Sequence, residues 1–195
     1  MRRGLNILLV GWFLMLGGCA SQSDLLTRFA KPDPVPSSFF VCYGYGCKFS
    51  SHISLTQEEW LDVRAVFDPQ AENAPAERGQ VAAAVALLER LVGPRTGTWV
   101  HQRHSRWNYG DPTQLDCIDN SINTWTYLTM FAHDDLLHYH KVAGLAHRGT
   151  LFTLDFSNAA VLEQTDDGEQ FTVDPWLAET GVPPPVYPLD MWLGP

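Results

Sequence analysis

The order of apolar and polar positions divides this 195-residue chain into one uniform run, three stretches of helical period and several short extended segments. Leu5 to Leu16 is almost wholly apolar. Phe39-Phe40-Val41 reads as a strand that opens the folded part. From Gln57 to Phe67, Trp60, Leu61, Val63, Val66 and Phe67 give a broad apolar face. Thr56 and Glu59 have capping-box spacing at its start, and Asp68-Pro69 ends it. From Pro75 to Val92, Val81, Val85, Leu88 and Leu91 recur at helical spacing, with Asn73 as cap and Gly93-Pro94 as stop. The third helix begins at Cys117, with Asp116 as its N-cap, and runs to Ala132. Its stripe is Ile118, Ile122, Trp125, Leu128 and Ala132. Stripes of this kind belong to a core before they belong to a ligand box.

Beyond this helix the period shortens. His138 and His140 alternate with Tyr139 and share one face of an extended run. Leu145 to Gly149 reads as a strand end. Ala159–Gln164 and Glu169–Trp176 are two extended runs joined through Asp167-Gly168, a hairpin signal. The prolines of Gly181–Pro188 exclude a regular helix there, and Leu189–Leu193 then offers an apolar plug, read together as a strap over the sheet. The pattern predicts an α+β fold: N-terminal helices and a cysteine-bearing helix packed on a small antiparallel sheet.

The apolar run changes the picture of where the chain resides. It is shorter than the roughly 20 residues a membrane span needs, and it follows Arg2 and Arg3, as in a secretory signal. Leu16-Gly17-Gly18-Cys19-Ala20 resembles the lipobox of bacterial lipoproteins. The resemblance implies removal of residues 1–18, lipid on Cys19, and an outer-membrane anchor facing the periplasm, since Ala20 stands where inner-membrane retention favours Asp. Residues 19–38, with three prolines near their end, read as a tether, and 39–195 as one α+β domain. Residues 1–18 carry two arginines and no acid, so the balance of the remainder falls from 13 basic against 22 acidic to 11 against 22. That excess argues against nucleic acid as partner. The membrane, through Cys19, is the expected one.

Four cysteines sort accordingly. Cys19 takes lipid. Cys42 and Cys47 bracket Tyr43-Gly44-Tyr45-Gly46, and an oxidising compartment predicts a disulfide between them. Cys117 is left over, which fits a reactive thiol or a buried inert one. Its place in a first helical turn, beside free N–H groups, favours thiolate and could stabilise an oxyanion, while Asp116 and Asp119 oppose a second negative charge. A cationic partner is therefore needed. The irregular stretch 94–116 leads into Cys117. Its Trp99 and Trp107 either line a cleft or pin the stretch to the surface.

Asp116-Cys117-x-Asp119 at a helix start, followed by a hairpin ending in Val173-Asp174-Pro175, resembles the bacterial transglutaminase-like cysteine peptidases of the papain-like group, over about residues 115–176. The resemblance implies a cysteine helix on an antiparallel sheet, a His opening one strand and an Asp ending the next to orient it. The family's His falls near Ser157, Asn158 or Ala159, and none of these is His. Asn158 can hydrogen-bond but cannot serve as a base. Ile118 stands where the family carries Glu, an acid on which calcium binding in some members depends. The substitute base is His147, giving a Cys117–His147–Asp174 centre for thiolate attack on a carboxamide or peptide carbonyl. The alternative is an inactive lipoprotein that uses the same cleft, with Asp116, Asp119, Asn158, Trp99 and Trp107 around it, to bind a peptide or envelope component. His133-Asp134-Asp135 with His138 and His140 has the donor types of a divalent-metal site. His133 can equally close a helix and the Asp pair a turn. No metal or other cofactor is expected.

Overall fold

The computed structural model describes residues 22–103, 110–149 and 156–194. Among these, five helices and two small antiparallel sheets give a mixed α+β fold. In chain order they are α1 (Gln22–Phe29), β1 (Phe39–Tyr43), β2 (Phe49–Ile53), α2 (Gln57–Ala65), α3 (Ala74–Thr96), α4 (Cys117–His133), β3 (His140–Arg148), β4 (Ser157–Gln164), β5 (Gln170–Val173), β6 (Val186–Pro188) and α5 (Leu189–Leu193). One sheet is the β1–β2 hairpin. The other has the strand order β3-β4-β5-β6.

The three long helices start where side-chain chemistry dictates. Thr56 and Glu59 form the full capping box of α2. Asn73 caps α3 through the Ala76 amide. Asp116 and Asp119 form a second capping box on α4, one oxygen of Asp116 taking the Asp119 amide. α2 stops at Ala65, two residues before the expected Phe67, and α3 passes through Gly93-Pro94 to stop at Thr96, with Gly97 in the left-handed region at φ 82°. Pro94 removes one amide donor but sits in the last turn, where Thr96 Oγ1 returns bonds to the Val92 and Gly93 carbonyls. Gly93 is needed for another reason. A Cβ there would lie 3.0 Å from the Trp99 backbone, so the turn after α3 packs directly on it.

The apolar stripes meet in one core. Val81, Val85, Leu88 and Val92 of α3, Ile122, Leu128 and Phe131 of α4, and Leu145, Ala160, Leu162 and Val173 of the large sheet are all buried there. Truncating a fully buried leucine such as Leu128 costs about 2–5 kcal/mol. The opposite face of the sheet is covered by the C-terminal strap. Trp192 of α5 packs on Ala146, Ala159 and Val161, and β6 adds to the sheet edge beside β5. The hairpin between β4 and β5 turns at Gly168, at φ 77°.

One stretch departs from the tether reading. Within residues 19–38 the chain forms α1, whose Leu25, Leu26 and Phe29 pack against the core beside β3 and α4. Proline content gave the extended reading, but the prolines lie only after this helix, and three apolar side chains on one helix gain more by burial than by solvation. Cys19 and Trp107 lie outside the described residues.

Candidate functional site

The start of α4 faces two neighbours, the β1–β2 turn on one side and the large sheet on the other. On the turn side the Asp116 and Asp119 carboxylates and the Asn123 amide are all engaged. Cys42 and Cys47 are disulfide-bonded, with Cα atoms 4.6 Å apart. Between them, Gly44, Tyr45, Gly46 and Cys47 all adopt positive φ, from 55° to 82°. A Cβ on Gly44 would meet the Phe49 ring at 2.5 Å, so a side chain there requires that ring to move. This conformation points successive amides at the helix. Asp119 accepts from the Tyr45 amide at 2.8 Å and the Cys47 amide at 2.7 Å, and Asp116 accepts from the Gly46 amide at 2.9 Å. One turn on, Asn123 clamps Cys42 by both backbone groups, taking its N–H at 2.7 Å and donating to its carbonyl at 2.9 Å. Left-handed backbone at Tyr45 and Cys47 costs of order 1–3 kcal/mol each, which the amide-to-carboxylate bonds offset. Burial, then the neighbouring Asp116 charge, pushes Asp119 up to about 7. Burial likewise raises Asp116. Both residues placed in the cleft by sequence are thus fasteners of the disulfide turn.

On the sheet side the arrangement is different. Cys117 is a free, half-buried thiol. The side chain that meets its sulfur is Asn158, whose Nδ2 donates to Sγ at 3.6 Å. The other end of the same amide, Oδ1, lies 3.1 Å from His147 Nδ1, across the paired strands β3 and β4. Asn158 therefore separates the expected nucleophile from the expected base, and among the described residues no imidazole contacts Cys117. Burial, then the Asp116 charge, raises the thiol to about 11. The helix N-terminus favours thiolate, but desolvation outweighs it here.

Asp174 does not orient His147 either. Its Oδ2 accepts from Trp192 Nε1 at 2.8 Å. Its Oδ1, fully buried, has no partner. Burial raises this carboxyl to about 6 in spite of the Trp192 bond and the Arg148 charge. Ser157 Oγ is also buried and unpartnered. Strand alternation explains the split. Register pairs Ala160 with Val173, so Asn158 and His147 share the core-side face, whereas Ser157 and Asp174 belong to the face under α5. The expected base and its expected orienter therefore stand on opposite faces of the sheet, and Asp174 acts on Cys117 only as a nearby charge that raises the thiol.

The remaining sequence candidates disperse. Trp99 is 64% exposed and makes no wall. The metal-like cluster separates: His133 Nδ1 lies 3.4 Å from the Pro34 carbonyl, Asp134 holds Trp60 Nε1 and Arg64, and His140 pairs with buried Glu77 at 2.8 Å. Among the described residues no three such donors converge. Glu77 was missed by sequence reasoning. It also accepts the His138 and Tyr139 amides, and although burial opposes its charge, the His140 bond and these amides leave it below the usual carboxylate range. It ties α3 to the start of β3. Asn123 was missed as well; a polar side chain inside a buried helix face was its only signal. No known protein family, curated protein or solved structure matches the chain.

Proposed function

We propose that this protein is a lipid-anchored, periplasm-facing outer-membrane lipoprotein whose transglutaminase-like, papain-related domain serves as a binding module for a peptide or envelope component, with Cys117 as a silent remnant of a nucleophile. The observation that carries this reading is the Asn158 amide on the Cys117 sulfur, 3.6 Å away, in the position where an active thiol needs an imidazole. A thiol raised to about 11 is almost wholly protonated at neutral pH, and an amide cannot take its proton. The address rests on the Leu16–Cys19 lipobox, and no described helix is long and apolar enough to cross a membrane.

Iodoacetamide alkylation at pH 7 tests the reading directly. The expected rate for Cys117 is below that of a free cysteine and unchanged by His147→Ala. The variant Asn158→His, which sets an imidazole on the sulfur, is expected to raise it about tenfold or more. A fast wild-type reaction that His147→Ala abolishes would establish the thiol hydrolase instead, with Cys117, His147 and Asp174 in their expected roles. The anchor has its own readout: intact-mass measurement of the membrane-extracted protein is expected to find acyl chains on an N-terminal Cys19.

A further inference from the structure

Away from Cys117, a small cavity lies between α3 and α4, bounded on one side by Thr180. Its volume is about 20 Å³. One water-sized occupant needs roughly 10–15 Å³, so the space holds one such group and no more. The lining is mixed: Val41, Val92 and Leu115 supply apolar walls, and oxygens come from three elements. Glu89 and Thr96 come from α3, Asn120, Thr124 and Tyr127 from α4, and Thr180 from a loop. Glu89, Thr96 and Thr180 are half-buried, so the cavity reaches the surface on that side.

Several of these oxygens accept or donate no hydrogen bond among the described residues. Tyr127 is 3% exposed and Thr124 1%, yet neither hydroxyl makes a hydrogen bond among the described residues. Asn120 donates its Nδ2 to the Asp116 carbonyl, which leaves its Oδ1 free as an acceptor. Glu89 takes the Gly181 amide on Oε2 at 2.8 Å and keeps Oε1. Buried polar atoms left in this condition are costly, and in most proteins they are satisfied by an occupant. Charge narrows the choice. The neighbouring Arg90 guanidinium donates to the Gly181 carbonyl, so its charge acts on the Glu89 carboxyl without an ion pair between them among the described residues. A water fits the space and the hydroxyls but supplies no counter-charge when the Glu89 carboxyl ionises.

We propose that the cavity bounded by Glu89, Asn120, Thr124 and Tyr127 binds a single ammonium group, free or at the end of an alkyl chain entering past Thr96 and Thr180. The four N–H donors of an ammonium ion match four available acceptors: Glu89 Oε1, Asn120 Oδ1, Thr124 Oγ1 and Tyr127 Oη. A primary alkylammonium donates three and leaves its stem toward the open side. The environment of Glu89 agrees. Burial pushes its carboxyl up to about 7, the behaviour of an acid waiting for a counter-ion. The Tyr127 phenol is held firmly protonated, by burial first and by the Glu89 charge second. The site is independent of Cys117 and stands whether or not that thiol reacts.

The test is an amide-resolved NMR titration of the purified protein with ammonium chloride and with n-propylammonium chloride, in a constant background of tetramethylammonium chloride. The Gly181 amide, which donates to Glu89, is the reporter. Saturable shifts of Gly181 with both ammonium salts are expected, with affinity reduced about tenfold or more in Glu89→Gln and in Tyr127→Phe. Thr124→Val removes one acceptor without touching the charge and keeps the test decisive if the Glu89 variant does not fold. Absence of a saturable shift at Gly181 would mean that the cavity holds water alone and would overturn the proposal. So would unchanged affinity in the folded variants, or saturation by potassium with n-propylammonium excluded.

Discussion

The two sides of Cys117 are built to different standards. On the disulfide side, three amides of a left-handed turn meet two carboxylates, and Asn123 closes both backbone groups of Cys42. On the sheet side, Asp174 Oδ1 and Ser157 Oγ are buried without partners, and an amide stands on the sulfur. Polar groups are buried at both, but only one side satisfies them. The satisfied side fixes structure. The unsatisfied side sets Asn158 between the Cys117 sulfur and His147.

The largest expected effect tests the satisfied side. Asp119→Ala removes the acceptor of the Tyr45 and Cys47 amides, each of which then costs about 1–3 kcal/mol when buried and unpaired. Urea unfolding of the oxidised protein should show a loss of about 3–5 kcal/mol. A loss below about 1 kcal/mol would mean that the disulfide alone holds the turn, and the contrast between the sides would collapse.

The sheet side should tolerate the corresponding change. Asp174→Asn keeps an acceptor for Trp192 Nε1 and removes a buried charge that burial already disfavours. At pH 7.5 the expected change lies within about 1 kcal/mol of zero, on the stabilising side. Ser157→Ala deletes an unpartnered hydroxyl and should change stability by about 0.5 kcal/mol or less. A large loss from either would show that these atoms hold something after all.

The pH dependence sharpens the comparison further. Asp119, Glu89 and Asp174 have folded-state values raised to about 7, 7 and 6, so between pH 4 and pH 7 the folded protein holds protons that the unfolded chain has released. Stability from these groups is therefore present at the acid end and lost as pH rises through that window. His101 works in the opposite sense. Buried, with Nδ1 accepting the Leu115 amide, it is lowered to about 4, so the unfolded chain binds its proton first and stability from it is lost as pH falls below 6.5. Three carboxyls outweigh one imidazole. The urea midpoint should fall from pH 5 to pH 7.5, and more steeply in His101→Gln. A midpoint that rises over this range would contradict the protonation assigned to both sides of Cys117.

Much of the fold was legible. The three long helices announce themselves because capping chemistry and a repeating apolar stripe are local properties, readable from Thr56 with Glu59, from Asn73 and from Asp116. The β4–β5 hairpin follows from Asp167-Gly168 for the same reason. Alpha-helix α1 was hidden by proline-rich neighbours, and its formation depends on a core surface that only β3 and α4 supply. The site was half legible. Residue types pointed to Cys117, Asn158 and Asp174, but a one-residue step along a strand reverses the face of the sheet, and no local signal reports which residue faces which neighbour. Glu77, Asn123 and the Glu89–Tyr127 cavity left almost no trace in sequence because each works with partners more than thirty residues away.

By itself, then, the sequence determined α2, α3 and α4, the β4–β5 hairpin, the Cys42–Cys47 pairing and the position of the unpaired thiol at a helix start, since all of these rest on spacing within a few residues. The tertiary structure decided what that thiol meets. It placed Asp116 and Asp119 under the disulfide turn, drew Asp174 beneath Trp192 and set Asn158 between Cys117 and His147. Burial and partnership fix the charge state of each group, and both are properties of the assembled chain.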